Sequence, residues 1–261
     1  MQHTNPPVVL VIAGNDPSGG AGIAADTQAI TRLGCHPAPV LAALTIQDTI
    51  NAYAVESVAA DFVVKQAEKV LQDLPVRAIK LGLLGSAANG EAITALLSRH
   101  PHIPVVTDPV LVAAGGAQLA EEQLVAVYRE KILPHTTLLT PNALELRRLA
   151  PDRDSTSARA FALLDLGAGW VLAKGGDEQT PLVENFLFDR DGEQRKWTTE
   201  RLAGEHHGSG CTLASAIAAG LARGESVPHA IERAQAFTFD ALSNGWQLGG
   251  GQRIPNRHFS N

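Results

Sequence analysis

Near the end of the chain, Glu205-His206-His207-Gly208-Ser209-Gly210-Cys211-Thr212 runs directly into Leu213-Ala214-Ser215-Ala216-Ile217-Ala218-Ala219, a small-residue segment of helical character. Where a glycine turn opens a helix, the first backbone amides lack intrahelical partners, and the helix dipole adds roughly half a positive charge. The amides of Gly208, Ser209, Gly210 and Cys211 are therefore expected to cradle an anion and to stabilise charge that develops in a transition state. A cysteine at a helix start is expected to have a lowered thiol pKa, which makes Cys211 a thiolate candidate. His206 and His207 invite a zinc site, but adjacent histidines in an extended segment point to opposite faces, so zinc is disfavoured.

A second glycine-bearing loop, Gly14-Asn15-Asp16-Pro17-Ser18-Gly19-Gly20-Ala21-Gly22, also opens a helix, and its backbone can approach a ligand closely. It lacks the Gly-Lys-Ser/Thr of a Walker A loop, and its glycines miss the G-x-G-x-x-G spacing, so dinucleotide binding is disfavoured. Asp26, one helical turn beyond Gly22, is expected to point back at a substrate.

Asp108 follows the apolar run Pro104–Thr107, and Asn142 and Glu145 follow the run ending at Thr140-Pro141. Two acids at neighbouring strand ends can hold Mg²⁺, directly or through water. Taken singly, Glu145 also reads as an ordinary first-turn helix acid and Asp108 as a turn former before proline. Lys174 in Lys174-Gly175-Gly176 reads either as a phosphate contact or as a surface cation.

These residues need a frame that brings them together. Short β-rich runs at Val8–Ala13, Pro39–Leu44, Ala78–Leu81, Pro104–Thr107, Thr137–Leu139 and Trp170–Ala173 alternate with segments of helical period. The helical segments are Ile23–Leu33, Asp61–Gln72, Gly90–Arg99, Glu121–Ile132, Ala143–Leu149, Ala158–Leu166, Ser209–Arg223 and Val227–Leu242, the last with Ser226 as N-cap and Pro228 in its first turn. Leu182–Leu202 breaks the alternation and reads as a hairpin at the sheet edge, around Asp189-Arg190-Asp191-Gly192. The pattern predicts an α/β fold, a mostly parallel sheet with helices on both faces, in which loops after the strands converge at the carboxyl edge.

Hydrophobic residues make up 45% of the 261 and charged residues 18%, enough apolar material for one large domain spanning 1–261 and too little charge for a disordered chain. A formal net charge of −6 leaves no bulk basic field for nucleic acid or an anionic membrane. The start, Met1-Gln2-His3-Thr4-Asn5-Pro6-Pro7, carries no basic region, and Val8–Ala13 is too short to span a bilayer. Cys35 and Cys211 read as free thiols, and the expected location is the cytoplasm.

Together these motifs resemble the hydroxymethylpyrimidine/phosphomethylpyrimidine kinases of thiamine biosynthesis, within the ribokinase-like superfamily. The similarity spans nearly the whole chain. It is carried by Ala13–Gly22 with Ala25-Asp26, Ala43–Thr49, Lys80–Ser86, Asp108-Pro109-Val110, Thr140-Pro141-Asn142 with Glu145, Lys174-Gly175-Gly176, and His207–Thr212.

The resemblance implies a ribokinase-like three-layer α/β/α sandwich, a pyrimidine ring near Gly14, Asp26 and Gln47, and apolar walls at Leu83 and Val110. It implies ATP as phosphoryl donor, with Asn142, Lys174 and Thr212 around its phosphates and Mg²⁺ organised by Asp108 and Glu145. It also implies Gly208, Ser209 and Gly210 around the transferring phosphoryl group, Cys211 as acceptor of the hydroxyl proton, and a homodimer. Sugar kinases of the superfamily carry aspartate where Cys211 stands, which argues against them. The sequence departs from the commoner pattern at Leu83 (usually methionine), Ala114 (often a lysine, a phosphate donor), Asp177 (often histidine) and Ser209 (usually threonine). The expected activity is phosphorylation of 4-amino-5-hydroxymethyl-2-methylpyrimidine to its monophosphate and onward to the pyrophosphate. A pyridoxal kinase is the alternative within enzymes. A pyrimidine-binding regulator without catalysis is the alternative outside them.

Overall fold

The structure is a computed structural model that describes residues 5–111, 122–178 and 180–258. Met1 to Thr4, Ala114 and Glu121 lie outside the described residues. Nine strands run in chain order as β1 (Val8–Asn15), β2 (His36–Gln47), β3 (Ala52–Ser57), β4 (Val76–Leu81), β5 (Val105–Thr107), β6 (Leu138–Leu139), β7 (Trp170–Ala173), β8 (Leu182–Asp189) and β9 (Gly192–Glu200). They form one sheet in the order β3-β2-β1-β4-β5-β6-β7-β8-β9. From β2 to β7 every pairing is parallel, while β3 at one end and β8 and β9 at the other pair antiparallel.

The parallel strands are covered on both sides, so they read as continuous apolar runs. In β1, Leu10 and Ile12 enter one core and Val9, Val11 and Ala13 the other. The first core lies under α2 (Ala60–Asp73), α3 (Ala87–Leu97), α4 (Glu122–Val127), α5 (Ala143–Leu149) and α6 (Thr156–Asp165). The second lies under α1 (Gly22–Arg32), α7 (Ser209–Ala222) and α8 (Val227–Ser243). The three-layer ribokinase-like arrangement expected from the sequence is the one observed.

Local departures have physical reasons. The segment Glu121–Ile132 is not one α-helix: α4 ends at Val127, Tyr128–Ile132 form a π-helical turn, and Leu133–His135 a 3₁₀ turn containing Pro134. That wide turn seats Tyr128 fully buried, its hydroxyl donating to the Gly82 carbonyl at 3.3 Å. Ser226 occupies the N-cap of α8, yet its side chain makes no capping hydrogen bond. Strand β3 was not anticipated, because only Ala52 in it is buried and no apolar run marks it.

The order reverses at β1, whose neighbours are β2 on one side and β4 on the other. In an open parallel sheet the crevice beyond the carboxyl ends at such a switch point is where ligands bind. The Gly14–Gly22 loop leaves β1 there, and Gly82 and Leu83 leave β4 beside it. No helix among the described residues is long and apolar enough to cross a membrane.

Candidate active site

At the start of α7, Gly208 adopts φ 74°, ψ 22°, the left-handed region that suits glycine, and so turns the chain into the helix. The first helical bond is made by the Thr212 amide, which donates to the Gly208 carbonyl at 3.0 Å. The amides of Ser209, Gly210 and Cys211 precede it and point out of the helix start, as an anion cradle requires. A Cβ placed on Gly210 would lie 3.2 Å from Lys174 Nζ and 3.6 Å from Asp108 Oδ2. The glycine therefore admits a cation and a carboxylate from two other strand ends against the turn.

Lys174 and Asp108 pair directly: Nζ donates to Oδ1 at 2.9 Å, and the Thr140 hydroxyl donates to the same oxygen at 3.1 Å. Burial works against ionisation of Asp108, but Lys174, Lys80 and the Thr140 hydroxyl outweigh it, and the carboxyl is held below its usual range. Lys174 is thus a largely buried, ion-paired lysine rather than a surface one. Glu145 is buried next to this pair and forms a reciprocal cap with Asn142. The Asn142 amide donates to Glu145 Oε2 and the Glu145 amide to Asn142 Oδ1, each at 2.8 Å. Burial pushes the Glu145 pKa up to about 8, Lys174 opposing it and the Asp108 charge adding to it. Hard oxygen donors of this kind suit Mg²⁺, which takes one or two carboxylates and fills its remaining positions with water and phosphate oxygens. The described residues contain no group of three or more His, Cys, Asp and Glu side chains arranged for a metal ion.

Cys211 is partly exposed at the turn, but the expected thiolate is not what the structure provides. Burial of the thiol pushes its pKa up to about 11; Asp26 and Asp108 add to the rise, while Lys80 and a hydrogen bond from the Gly22 amide oppose it. Desolvation and two carboxylates outweigh the helix start.

Asp26 is ion-paired in the core. Its carboxylate is fully buried and faces Lys80 rather than open solvent, with Nζ at 2.9 Å from Oδ1 and 3.0 Å from Oδ2. The Ser215 hydroxyl donates to Oδ1 at 2.6 Å. Lys80 alternates along β4 with Ile79 and Leu81, so it alone of the three faces α1 and α7, and Asp26 on α1 is its counter-charge. Thr212 is likewise not free for a phosphate: it is fully buried, its hydroxyl donating to the Gly208 carbonyl at 2.8 Å and accepting from Arg257 Nε at 2.9 Å.

On the pyrimidine side of the expected site, Gly14 and Leu83 adjoin, a Cβ on Gly14 falling 2.9 Å from Leu83 Cδ2. Val110, half-buried, directly follows Asp108 and Pro109. Gln47 is half-buried at the end of β2. Three residues that sequence reasoning gave no site role complete the structure. Asp16 accepts from the Ser18 amide at 2.8 Å, the Ser18 hydroxyl at 2.9 Å and the Ala21 amide at 2.7 Å, and it pairs with His207. Lys80 neutralises Asp26, and Arg257 holds Thr212. A lysine between the apolar residues Ala78-Ile79 and Leu81 was the available signal for Lys80; nothing local marks Arg257.

A doubly covered, mostly parallel sheet with a glycine turn, a lysine and two carboxylates at its carboxyl edge is the frame and kind of site that suits a small-molecule kinase of the ribokinase-like class. Comparison with known proteins narrows the class. Residues 16–256 match the family model described as phosphomethylpyrimidine kinase. The chain is similar to the hydroxymethylpyrimidine/phosphomethylpyrimidine kinase of Streptomyces coelicolor, 39% identical over 94% of this chain and 92% of that one. It is 40% identical to the thiamine biosynthesis bifunctional protein ThiED of Geobacter sulfurreducens over 93% of this chain, spanning 50% of that protein's length. Among solved structures it resembles the pyridoxal kinase of Staphylococcus aureus in complex with AMP-PCP and pyridoxal, with TM-score 0.87, 28% identity, and 97% of this chain and 94% of that one covered. The chain belongs to the phosphomethylpyrimidine kinase family.

Proposed function

We propose that this kinase transfers the γ-phosphoryl group of ATP to the hydroxymethyl oxygen of 4-amino-5-hydroxymethyl-2-methylpyrimidine, and then phosphorylates the monophosphate to the pyrophosphate. The observation that supports the reading is the convergence of Lys174 and Asp108 on Gly210 at the start of α7. Phosphoryl transfer asks mainly for positioning and charge stabilisation, and this inventory supplies both.

The alcohol is seated with its ring near Gly14, Leu83, Val110 and Gln47 and its oxygen near Cys211. As that oxygen bonds to the γ-phosphorus, the bond from phosphorus to the β,γ-bridging oxygen breaks and ADP leaves; the hydroxyl proton passes to Cys211 Sγ when the thiol is ionised. The Ser209, Gly210 and Cys211 amides and Lys174 meet the negative charge on the transferring group. Asp108 and Glu145 are the residues that would hold Mg²⁺, which neutralises phosphate oxygens when bound.

Asp26 serves beneath the site, as the counter-charge that keeps Lys80 buried next to Cys211. Retention of Cys211, Asp108 and Glu145 supports an enzyme over a non-catalytic regulator. A homodimer is supported by the apolar side chains left exposed around β2 and β3, Ile46 at 67% and Tyr53 at 61% among them. We place the protein in the cytoplasm, as a single domain.

The test is a substrate panel followed by phosphorus NMR with ATP as donor. Sequential appearance of monophosphate and pyrophosphate from the pyrimidine alcohol is the expected result. Pyridoxal belongs in the panel because the Staphylococcus aureus structure shares the fold, and a higher kcat/KM for pyridoxal would overturn the assignment.

A further inference from the structure

The segment after α8 touches each part of the site in turn. Trp246 and Ile254 exchange amide-to-carbonyl hydrogen bonds of 2.8 Å and close a loop between them. That loop sits on the tip of the β2–β3 connection, where the Gln252 amide donates to the Thr49 carbonyl at 2.8 Å and the Gly251 amide to the Thr49 hydroxyl at 3.1 Å. Thr49 is two residues from Gln47. The Arg253 amide then donates to the Glu205 carbonyl, and the Arg253 carbonyl accepts from the His207 amide, both at 2.9 Å, beside the phosphate turn.

Arg257 ends the path, fully buried. Its guanidinium fans out to three elements: Nε to the Thr212 hydroxyl at 2.9 Å, Nη1 to Gln28 Oε1 on α1 at 3.1 Å, and Nη2 to the Gly20 carbonyl in the β1 loop. Among the described residues it forms no salt bridge, and burial lowers its pKa to about 10 even though Cys211, Asp26 and Asp16 pull the other way. A buried cation satisfied by neutral acceptors is an expensive way to stabilise a fold, since an apolar side chain would fill the space without desolvating a charge. What the planar fork supplies that an apolar group cannot is fixed geometry among three acceptors.

We infer that Arg257 is a positioning residue for phosphoryl transfer, locking the β1 glycine loop and the first turn of α7 in one register while the 245–258 strap carries that register to the Gln47 end of β2. This rests on the assignment of the Gly208–Cys211 turn as the phosphate site. Arg257 reaches neither substrate; it acts through Thr212 and Gly20.

The decisive variant is Arg257→Lys, which keeps charge and approximate volume but cannot serve three acceptors. A misplacement of about 1 Å costs about 10²-fold in rate, so kcat is expected to fall by about that factor while the KM values for ATP and the alcohol move little. Millimolar methylguanidinium should restore kcat in Arg257→Ala, saturably, because it refills the same three acceptors. The inference is overturned if kcat per folded molecule of Arg257→Lys stays within about twofold of the parent, or if folded Arg257→Ala shows no rescue. Should neither variant fold, Gln28→Ala removes one acceptor at the half-buried face of α1 and decides the matter: a severalfold lower kcat supports the lock and an unchanged kcat sinks it. Lys174→Ala, measured alongside, separates the two levels, because it removes the cation that converges on the turn at Gly210. If it is inactive while the strap variants match the parent, only the strap inference fails; if it is fully active, the reading of the turn fails.

Discussion

Nε2 of His207 stands 2.9 Å from Oδ2 of Asp16, and this contact joins the two glycine-bearing loops of the site. Burial alone would raise the Asp16 pKa, but hydrogen bonds from His207, Ser18 and Ala21 and the His207 charge more than offset it, and the carboxyl titrates below its usual range. A depressed carboxyl pKa contributes stability above the unfolded value, near about pH 4, and loses it as pH falls through the folded value. Asp16→Asn should therefore lose about 1–3 kcal/mol at neutral pH, with the gap to the parent closing as pH drops through and below about 4. Urea melts of both proteins across that range provide the check.

Cys211 yields a pH prediction of opposite sign. With its pKa raised to about 11, the thiol of the free enzyme stays protonated at neutral pH. Alkylation by iodoacetamide should be slow at neutrality and accelerate above pH 9, and kcat/KM should climb over the same range if Sγ takes the proton. A flat profile would remove it as base and leave it a positioning group. Cys211→Ala is expected to lower kcat by about 10²- to 10⁴-fold with little change in KM.

Gly208→Ala tests the turn itself. The residue sits at φ 74°, and a Cβ there would meet the Gly20 carbonyl oxygen at 2.1 Å. The left-handed conformation alone costs a non-glycine residue about 1–2 kcal/mol, and the clash must spread the two loops apart. The variant should fold with a lower melting temperature and turn over far more slowly, measurable by calorimetry and steady-state assay.

Lys80→Met strands the Asp26 carboxylate in the core. Loss of one member of a buried pair costs about 3–5 kcal/mol, whereas Lys80→Met combined with Asp26→Leu should recover much of that loss. A double-mutant cycle by chemical denaturation gives the coupling energy directly.

Glu145→Gln keeps an acceptor for the Asn142 amide and removes the carboxylate. If Glu145 organises Mg²⁺, the half-saturating Mg²⁺ concentration should rise by about 10- to 100-fold while the melting temperature changes little.

Most elements were legible because burial writes its period into the chain. Val8–Ala13 is apolar throughout since β1 is covered on both faces, and Ala143–Leu149 and Trp170–Ala173 coincide with α5 and β7. The exposed edge strand β3 carries no such signature. The glycine loops stood out as candidate site material because glycines between a strand end and a helix start let backbone approach a ligand, whereas Lys174 stayed open between a phosphate contact and a surface cation until its pairing with Asp108 was seen. What the sequence could not reveal depends on partners far along the chain. Asp26 reads in the sequence as pointing at a substrate, and its counter-charge Lys80 lies 54 residues away. Thr212 looked available until Arg257 engaged its hydroxyl, and the helix start alone suggested a thiolate that desolvation at Cys211 opposes at neutral pH.

Arg257 and Gly20 bond across 237 residues, and His207 and Asp16 across 191. During synthesis the β1 loop therefore emerges long before either residue that clamps it. If the clamps set the geometry of the site, turnover by a growing chain should begin in one step once Arg257 has emerged rather than grow with chain length.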